Sequence, residues 1–543
     1  MRKKLCGLLA SVLVVSMLAT GCGGGKEKAN VSQTGADNLE VMTENTMPIT
    51  EEDVTIQIWT SNRSQGYVKS FNEFQAFKEI AKITGVNVDF FHPTGNAAEQ
   101  LNIMLSSGDF PDVIYHYWET NQGKKLVADG VALDLAPYME KITPNFNALL
   151  DSNPIYREGL AAKSDSVYAF PMVYSNAKFL AYNSYFIRKD WLDKLGLSVP
   201  TNIAEWEQVL TAFRDNDMNG NGDTKDEVPF ATIKSGNMYR EAFASGFGLP
   251  LFGYHYSPEN GKVTHSLLRP EFKEYITTMN RWYNEGLLYN NCISATGDEI
   301  DALYLNDNLG AFYIDNNNSL PKYLLAREDI ELVAAPIPMD KNGKQYYPNN
   351  RMKSLIAPYG SVVTTNCAHP IEAIRYFDFL YSKQASDLMY WGIEGESYTV
   401  QPDGSYQFTD YILNNPDGKV PYEAVCKYMT NVGFTGLHQY EAMVGLEHNL
   451  SAEFKEIKDQ SVEYTMTSDM DLLMPAVPTT LEEDKEIAKY SDLSDHLNAM
   501  FDKLYIGVEP LDRLDEIVEE CKSLGLEKII EIKQKAADRI SVK

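Results

Sequence analysis

A chain of 543 residues with 44% hydrophobic and 23% charged side chains has the make-up of folded protein and is too long for one core, so two lobes or more are expected. Its 48 basic residues against 76 acidic ones leave a net charge of -28. That balance excludes nucleic acid as a partner, because displacing phosphate counterions needs a basic surface; the acid surplus reads instead as a source of solubility.

The chain opens with Arg2, Lys3 and Lys4, an apolar run from Leu5 to Ala19, and then small residues. This is the layout of a secretory signal, and the run is short for a membrane-spanning helix. The stretch "LATGC" (18–22) resembles the bacterial lipobox, although Ala19 stands where that pattern usually has Leu. The resemblance implies that residues 1–21 are removed, that Cys22 carries a diacylglycerol, and that the protein is held on the outer face of a bacterial cell membrane. Residues 22–52, polar and glycine-rich at the start, are expected to form a flexible tether, with the fold beginning at residue 53. Cys292, Cys367, Cys426 and Cys521 are widely spaced without a CxxC pair and are expected as buried thiols.

From residue 54 the pattern alternates. "VTIQIWT" has the two-residue period of a strand; "NEFQAFKEIAKITG" carries Phe74, Phe77, Ile80 and Ala81 at helical spacing and stops at Gly85. "VNVDFFH", "NAAEQLNIMLSSG" and "FPDVIYHYW" then predict a strand, a helix and a third strand. Strand and helix alternating at this pitch predict a parallel sheet covered by helices, with ligands beyond the carboxyl ends of its strands. Farther on, Ile187, Trp191 and Leu195 share one face of a predicted helix ending at Gly196. Asn202 and Glu205 open the next, which buries Ile203, Trp206, Leu210 and Phe213. Residues 370–391 read as one amphipathic helix stopped by Gly392, and the chain closes on two helices joined at Gly525.

"RDNDMNGNGDTKDEVPF" (214–230) gathers acids, amides and glycines, as a calcium loop does: the ion takes six to eight oxygens, and a glycine turn lets successive side chains converge. Two registers fit. One starts at Asp215 and uses Asp217, Asn219, Asp223 and Asp226 around Gly220. The other starts at Asp217 and uses Asn219 and Asn221 around Gly222, with Asp226 and Glu227 closing the shell and Asp223 able to join. An Asx-rich turn without metal is the competing reading. "VPFATI" after the loop does not read as the exiting helix of a sensor, so the expected role of the ion is structural. No GxSxG, HExxH, GxxxxGK[ST] or GxGxxG pattern occurs, and the eight His show no metal-ligand spacing. Glu394 and Glu396 could be imagined as a glycosidase pair, but such pairs arise by chance among 76 acids. No enzyme activity is expected.

Five stretches in order, "TGNAAEQLNIMLSSGDFPDVI", "FIRKDWLDKLGLSVPT", "NGNGDTKDEVPF", "YWGIEGESYT" and "LYIGVEPLDRLDEIVEECKSLGLEKIIEIKQKAADRI", resemble the extracellular solute-binding lipoproteins of bacterial ABC importers, in the carbohydrate-associated branch. The resemblance implies an α/β fold of the two-lobed periplasmic-binding-protein type II, with a hinge and an interlobe ligand cleft. By the same analogy residues 53–178 plus 333–366 form the N-terminal lobe, and residues 179–332 plus 367–543 the C-terminal lobe with the calcium loop. It favours the second register, although one extra residue lies between Gly222 and Asp226. It also implies an oligosaccharide ligand, separate ABC permease subunits as partners, and peptide or another solute as the alternative cargo. The supply of 33 Tyr, 23 Phe and 6 Trp suits sugar rings, whose apolar faces stack on flat aromatic rings. Trp118, at a strand end, is the first candidate platform, followed by Tyr117, Tyr174 and Trp391; Asn62 and Arg63 are the candidate polar partners. Core packing is the competing reading for each, and Trp191, Trp206 and Trp282 are expected in the core.

Overall fold

The computed structural model describes residues 36, 38–64, 67–118, 122–161, 167–234, 238–315, 319–327, 329–348, 354–429, 433–447, 451–474 and 479–541. The expected signal, Cys22 and the first part of the tether lie outside these residues. Among them, no helix is long and apolar enough to cross a membrane.

The chain lays down β1 (Val54–Trp59), β2 (Val86–Phe91) and β3 (Val113–Tyr117) with helices Gln75–Thr84 and Ala97–Ser107 between them. β1 pairs in parallel with both β2 and β3, as the alternation predicts. Each helix ends where it should: Gly85 and Gly108 adopt the left-handed conformation that side chains resist. β4 (Phe170–Tyr174) completes the first visit to this sheet.

The chain then crosses to β5 (Asn183–Arg188), β6 (Val228–Thr232), a small hairpin of β7 (Tyr254–Tyr256) and β8 (Val263–His265), β9 (Leu309–Asp315) and β10 (Leu332–Ala335). It returns through β11 (Ile356–Val363), adds the hairpin β12 (Tyr398–Val400) and β13 (Tyr406–Phe408), and places β14 (Gly436–His438) on the first sheet. The first sheet runs β14-β4-β11-β3-β1-β2, with β11 antiparallel to its neighbours; the second runs β10-β5-β9-β6. This is a two-lobed α/β type II fold.

Each sheet has its own core. The first gathers Ile56, Phe77, Tyr115, Phe170, Ile374, Met389 and Leu446; the second gathers Trp191, Trp206, Phe230, Trp282, Phe501 and Leu526. Two expectations are corrected here. Residues 370–446 belong to the first core rather than to the C-terminal lobe, so the chain crosses a third time, between Leu446 and helix Ala452–Met466, whose Phe454 and Ile457 pack beneath the second sheet. Helix content and hydrophobicity are alike on the two sides, and nothing local marks which core a segment joins. The flexible tether does not reach residue 52 either. Arg375 donates to the carbonyls of Thr46 and Ile49, Asn45 bonds the Arg375 carbonyl and Asp378, and Met42 N–H reaches Lys141 O, so this strap is fastened to the first lobe.

Smaller differences have local causes. Ile187 lies in β5, and its helix starts only at Lys189. Residues 370–391 form two helices, Pro370–Phe379 and Lys383–Tyr390, because the Ser382 hydroxyl caps the second. Asn202 caps helix Ile203–Asp215 through the Glu205 N–H, while the Glu205 carboxylate turns back to Thr201. The four described cysteines form no disulfide and are buried, as expected of thiols.

Candidate functional site

The two sheets present facing edges. The first offers the carboxyl ends of β1, β2, β3, β4 and β14 and the start of β11. The second offers the start of β5 and the ends of β6, β9 and β10, since β5 runs antiparallel to β9 and β10. The chain passes between these edges at residues 175–182 and 336–355. Tyr347 ties the two passages together: its hydroxyl donates to Leu180 O at 3.4 Å and accepts from Asn183 N–H at 3.1 Å.

On the first edge stands a ring and guanidinium cluster. Tyr115 and Tyr117 project from the same side of β3, and Tyr359 of β11 is the register partner of Tyr117. The Tyr359 ring stacks on Tyr115 (6.0 Å, 26°) and meets Tyr117 edge-on (5.3 Å, 82°). Arg63, just past β1, lies over the Tyr359 ring with its Cζ 4.3 Å from the centroid. Its Nη2 donates to the Tyr115 hydroxyl at 3.2 Å and to the Gly433 carbonyl, which also accepts from the Tyr115 hydroxyl at 2.9 Å. A Cβ at residue 433 would sit 2.0 Å from the Met172 sulfur, so any other residue there would force the Met172 side chain to move. Burial holds the Tyr115 phenol well above its usual range, so it stays neutral, and Arg63 is left exposed with Tyr117 and Tyr359 half-buried.

Of the nominated ligand residues, Arg63 and Tyr117 are in this cluster and four are elsewhere. Trp118 is 2% exposed; alternation turns it to the other face of β3, where its indole N–H donates to Gly360 O at 2.9 Å among Trp59, Leu101 and Tyr168. Trp391 is 3% exposed, bonded to Gln439 and packed on Phe408. Tyr174 is 7% exposed, stacked on His438 and bonded to the Tyr182 hydroxyl at 2.8 Å. All three are core residues. Asn62 is engaged within its own loop: its amide donates to Val68 O and Lys69 O, and its oxygen accepts from Ser64 N–H. Tyr359 was missed because "IAPYGSVV" shows no strand end and its partners Arg63, Tyr115 and Tyr117 lie far away in sequence. Trp191, Trp206 and Trp282 are buried as expected.

The Asx-rich loop sits before β6. Asp217 accepts the N–H groups of Gly220 (2.6 Å), Asn221 (3.1 Å) and Gly222 (2.9 Å), and both glycines have positive φ. Asn221 Nδ2 donates to Asp226 Oδ2 at 2.6 Å, Asn219 Oδ1 accepts Asn221 N–H, and Asp223 accepts Lys225 N–H. Glu227 reaches in under the loop to accept Met218 N–H at 2.7 Å. Asp226 Oδ1 and Glu227 Oε2 are buried without a hydrogen-bond partner. Burial, and secondarily the Asp226 charge, raises the Glu227 pKa. Asp215 is held in a two-pronged pair with Arg214, away from this group. Among the described residues no three His, Cys, Asp or Glu side chains form a ready metal cluster; the loop's oxygens come equally from amides. Two adjacent buried carboxylate oxygens without a donor fit a cation.

Glu394 and Glu396 are exposed on the turn after Gly392.

Comparison with known proteins shows the family to which the chain belongs. A family model for bacterial extracellular solute-binding protein matches residues 68–387. The chain is 24% identical over 555 residues to the fructooligosaccharide ABC transporter substrate-binding protein FusA of Streptococcus pneumoniae, covering 99% of each. It is 24% identical to the lipoprotein LipO of Bacillus subtilis over 80% of both. The structure of FusA in complex with kestose matches with a TM-score of 0.72 at 22% identity, covering 90% of this chain and 99% of that one. FusA is also known as an EF-hand mutant bound to fructo-nystose. The alginate-binding protein AlgQ2 without calcium ion matches with a TM-score of 0.70 at 21% identity, over 91% of this chain and all of that one.

Proposed function

Since this chain belongs to the bacterial extracellular solute-binding proteins, we propose that it captures an oligosaccharide outside the cell and presents it to the permease of an ABC importer. The observation that carries this reading is the partly exposed cluster of Arg63, Tyr117 and Tyr359 at the sheet edge from which the chain passes to the second lobe. Flat rings take the apolar faces of sugars, and a fixed guanidinium takes their oxygens. Capture needs no bond made or broken: ligand held by both lobes favours the closed arrangement by its differential affinity for it. The protein therefore acts as a binder rather than an enzyme, and the exposed Glu394 and Glu396 take no part. The likeness to FusA over 99% of both chains supports an oligosaccharide cargo, and the likeness to LipO supports lipid anchoring through Cys22 after removal of residues 1–21.

The Asx-rich loop is read as a structural calcium site. Asp217, Asn219, Asn221, Asp226 and Glu227 would hold the ion, with Asp223 at the rim. Its charge would neutralise the two buried carboxylate oxygens, and it performs no chemistry.

The test is calorimetry and thermal shift of the soluble chain starting after Cys22, in calcium, against oligosaccharides, monosaccharides and short peptides. Ligand at 100 times its dissociation constant should add about 2.7 kcal/mol of stability. A glycan that stabilises the protein and is recovered unchanged is the expected result. Stabilisation by peptides alone would overturn the sugar cargo, and a cleaved glycan would overturn binding without chemistry.

A further inference from the structure

We infer that the cargo is an anionic oligosaccharide, a uronic-acid oligomer whose carboxylate is received by Arg63. The inference rests on the oligosaccharide reading above and specifies the class of sugar. Among the described residues Arg63 makes no ion pair with a carboxylate, in a chain that carries 76 acids against 48 bases, and the acceptors it meets there are neutral: a phenol hydroxyl and a peptide carbonyl. The bonds found all use Nη2, leaving Nε and Nη1 without an acceptor among the described residues. The guanidinium sits over Tyr359 and is bonded to Tyr115 and Gly433, so its remaining donors are positioned before any ligand arrives.

Across the cleft the second edge repeats the charge. Lys234 follows β6, is exposed, and pairs with no carboxylate among the described residues. Two acids near that edge, Asp315 at the end of β9 and Glu241, both lie beside Tyr347, where the chain passes between the lobes. When the lobes close and water leaves, an unneutralised guanidinium is costly, while a carboxylate turns the same group into a charge-assisted pair. A neutral glycan supplies hydroxyl oxygens but no such charge.

The deciding comparison leaves the protein unaltered: titration of the soluble chain, at constant calcium and ionic strength, with an oligogalacturonate and an oligomannuronate, with the methyl esters of both, and with a neutral fructan of similar length. At least one acidic oligomer should bind ten times or more tighter than its ester and than the fructan, and its affinity should fall as sodium chloride is raised. Arg63→Gln should abolish this preference and Arg63→Lys retain part of it, with melting temperatures confirming that each variant folds. An ester or fructan that binds as tightly as the acid overturns the anionic assignment and leaves the oligosaccharide reading intact. If no glycan binds, both fall.

Discussion

At the scale of single residues, Trp118 and Tyr359 separate packing from binding. Both are large aromatics near the carboxyl end of β3, yet Trp118 is sealed against Gly360 and Tyr168 while Tyr359 lies half-buried under Arg63. Truncating Trp118 to Ala removes a fully packed side chain and should cost about 3–5 kcal/mol of stability, read as a lower denaturation midpoint. Tyr359→Ala should leave the melting temperature within a few degrees of the parent and weaken glycan binding about tenfold or more, as loss of an aromatic anchor does. The reverse pattern would show that the ring cluster is core and that the cargo is held elsewhere. Burial alone does not distinguish such residues; the informative combination is a half-exposed ring with an oriented cation above it.

At the scale of elements, two connections carry the predictions. The loop before β6 holds Asp226 and Glu227 with one buried, undonated oxygen each. Chelation of calcium should therefore lower the melting temperature, and Asp217→Ala should lower it similarly and abolish the response to chelator, because Asp217 organises the loop through three N–H groups. No response to chelator in the parent would refute a bound ion. The third crossing is secured by Lys458 of helix Ala452–Met466, paired with Glu447 at the end of helix Tyr440–Leu446, their side chains 5% and 6% exposed, with the Tyr422 hydroxyl donating to the same carboxylate at 3.2 Å. The pair joins an element of the first core to one beneath the second sheet. Lys458→Met leaves a buried charge without its partner and should cost about 3–5 kcal/mol, whereas the double variant with Glu447→Leu should recover most of the loss. Equal losses in the single and double variants would show that the cost does not come from leaving Glu447 unpaired.

At the scale of the whole molecule, the response to pH follows from buried histidines. His255 and His265 lie on the β7–β8 hairpin, where burial lowers their pKa values from 6.5 to about 4 and about 3. Arg269 and Lys533 push in the same direction, and Glu259 and Glu271 partly oppose it for His255. The unfolded chain takes up protons that the folded chain refuses. The stability these groups contribute is thus fully present above about pH 6.5 and is lost as pH falls toward 4 and then 3, by about 1.4 kcal/mol per pH unit for each proton. Asp378 acts with the opposite sign: burial raises it to about 6, so its contribution is present below its unfolded value near 3.8 and lost as pH rises through 6. Burial lowers His438 to about 3 and also lowers His116, so both act with the hairpin pair against Asp378 and Glu227; urea midpoints should decline from pH 6.5 to 4.5, and His265→Asn should flatten that decline in part. An unchanged slope in the variant would assign acid sensitivity to other groups.

What the sequence determined by itself is what local pattern encodes. The two-residue period of "VTIQIWT", the helical period stopped at Gly85, the capping of helix Ile203–Asp215 and the glycine turns at 220 and 222 depend on neighbours a few residues away, and the structure places each where the pattern put it. The family likewise followed from five local stretches in order. Only tertiary structure decided which face of β3 points to the cleft, so Trp118 went to the core and Tyr117 to the cluster. It also decided that residues 370–446 return to the first core and that the strap near Asn45 is fastened by Arg375 and Asp378. The reason is physical: an alternating strand has two equivalent faces, and which one is covered depends on helices packed from distant parts of the chain. The contacts of Arg63 with Tyr359 and Gly433, each hundreds of positions away from it, exist only once both sheet and crossings are in place.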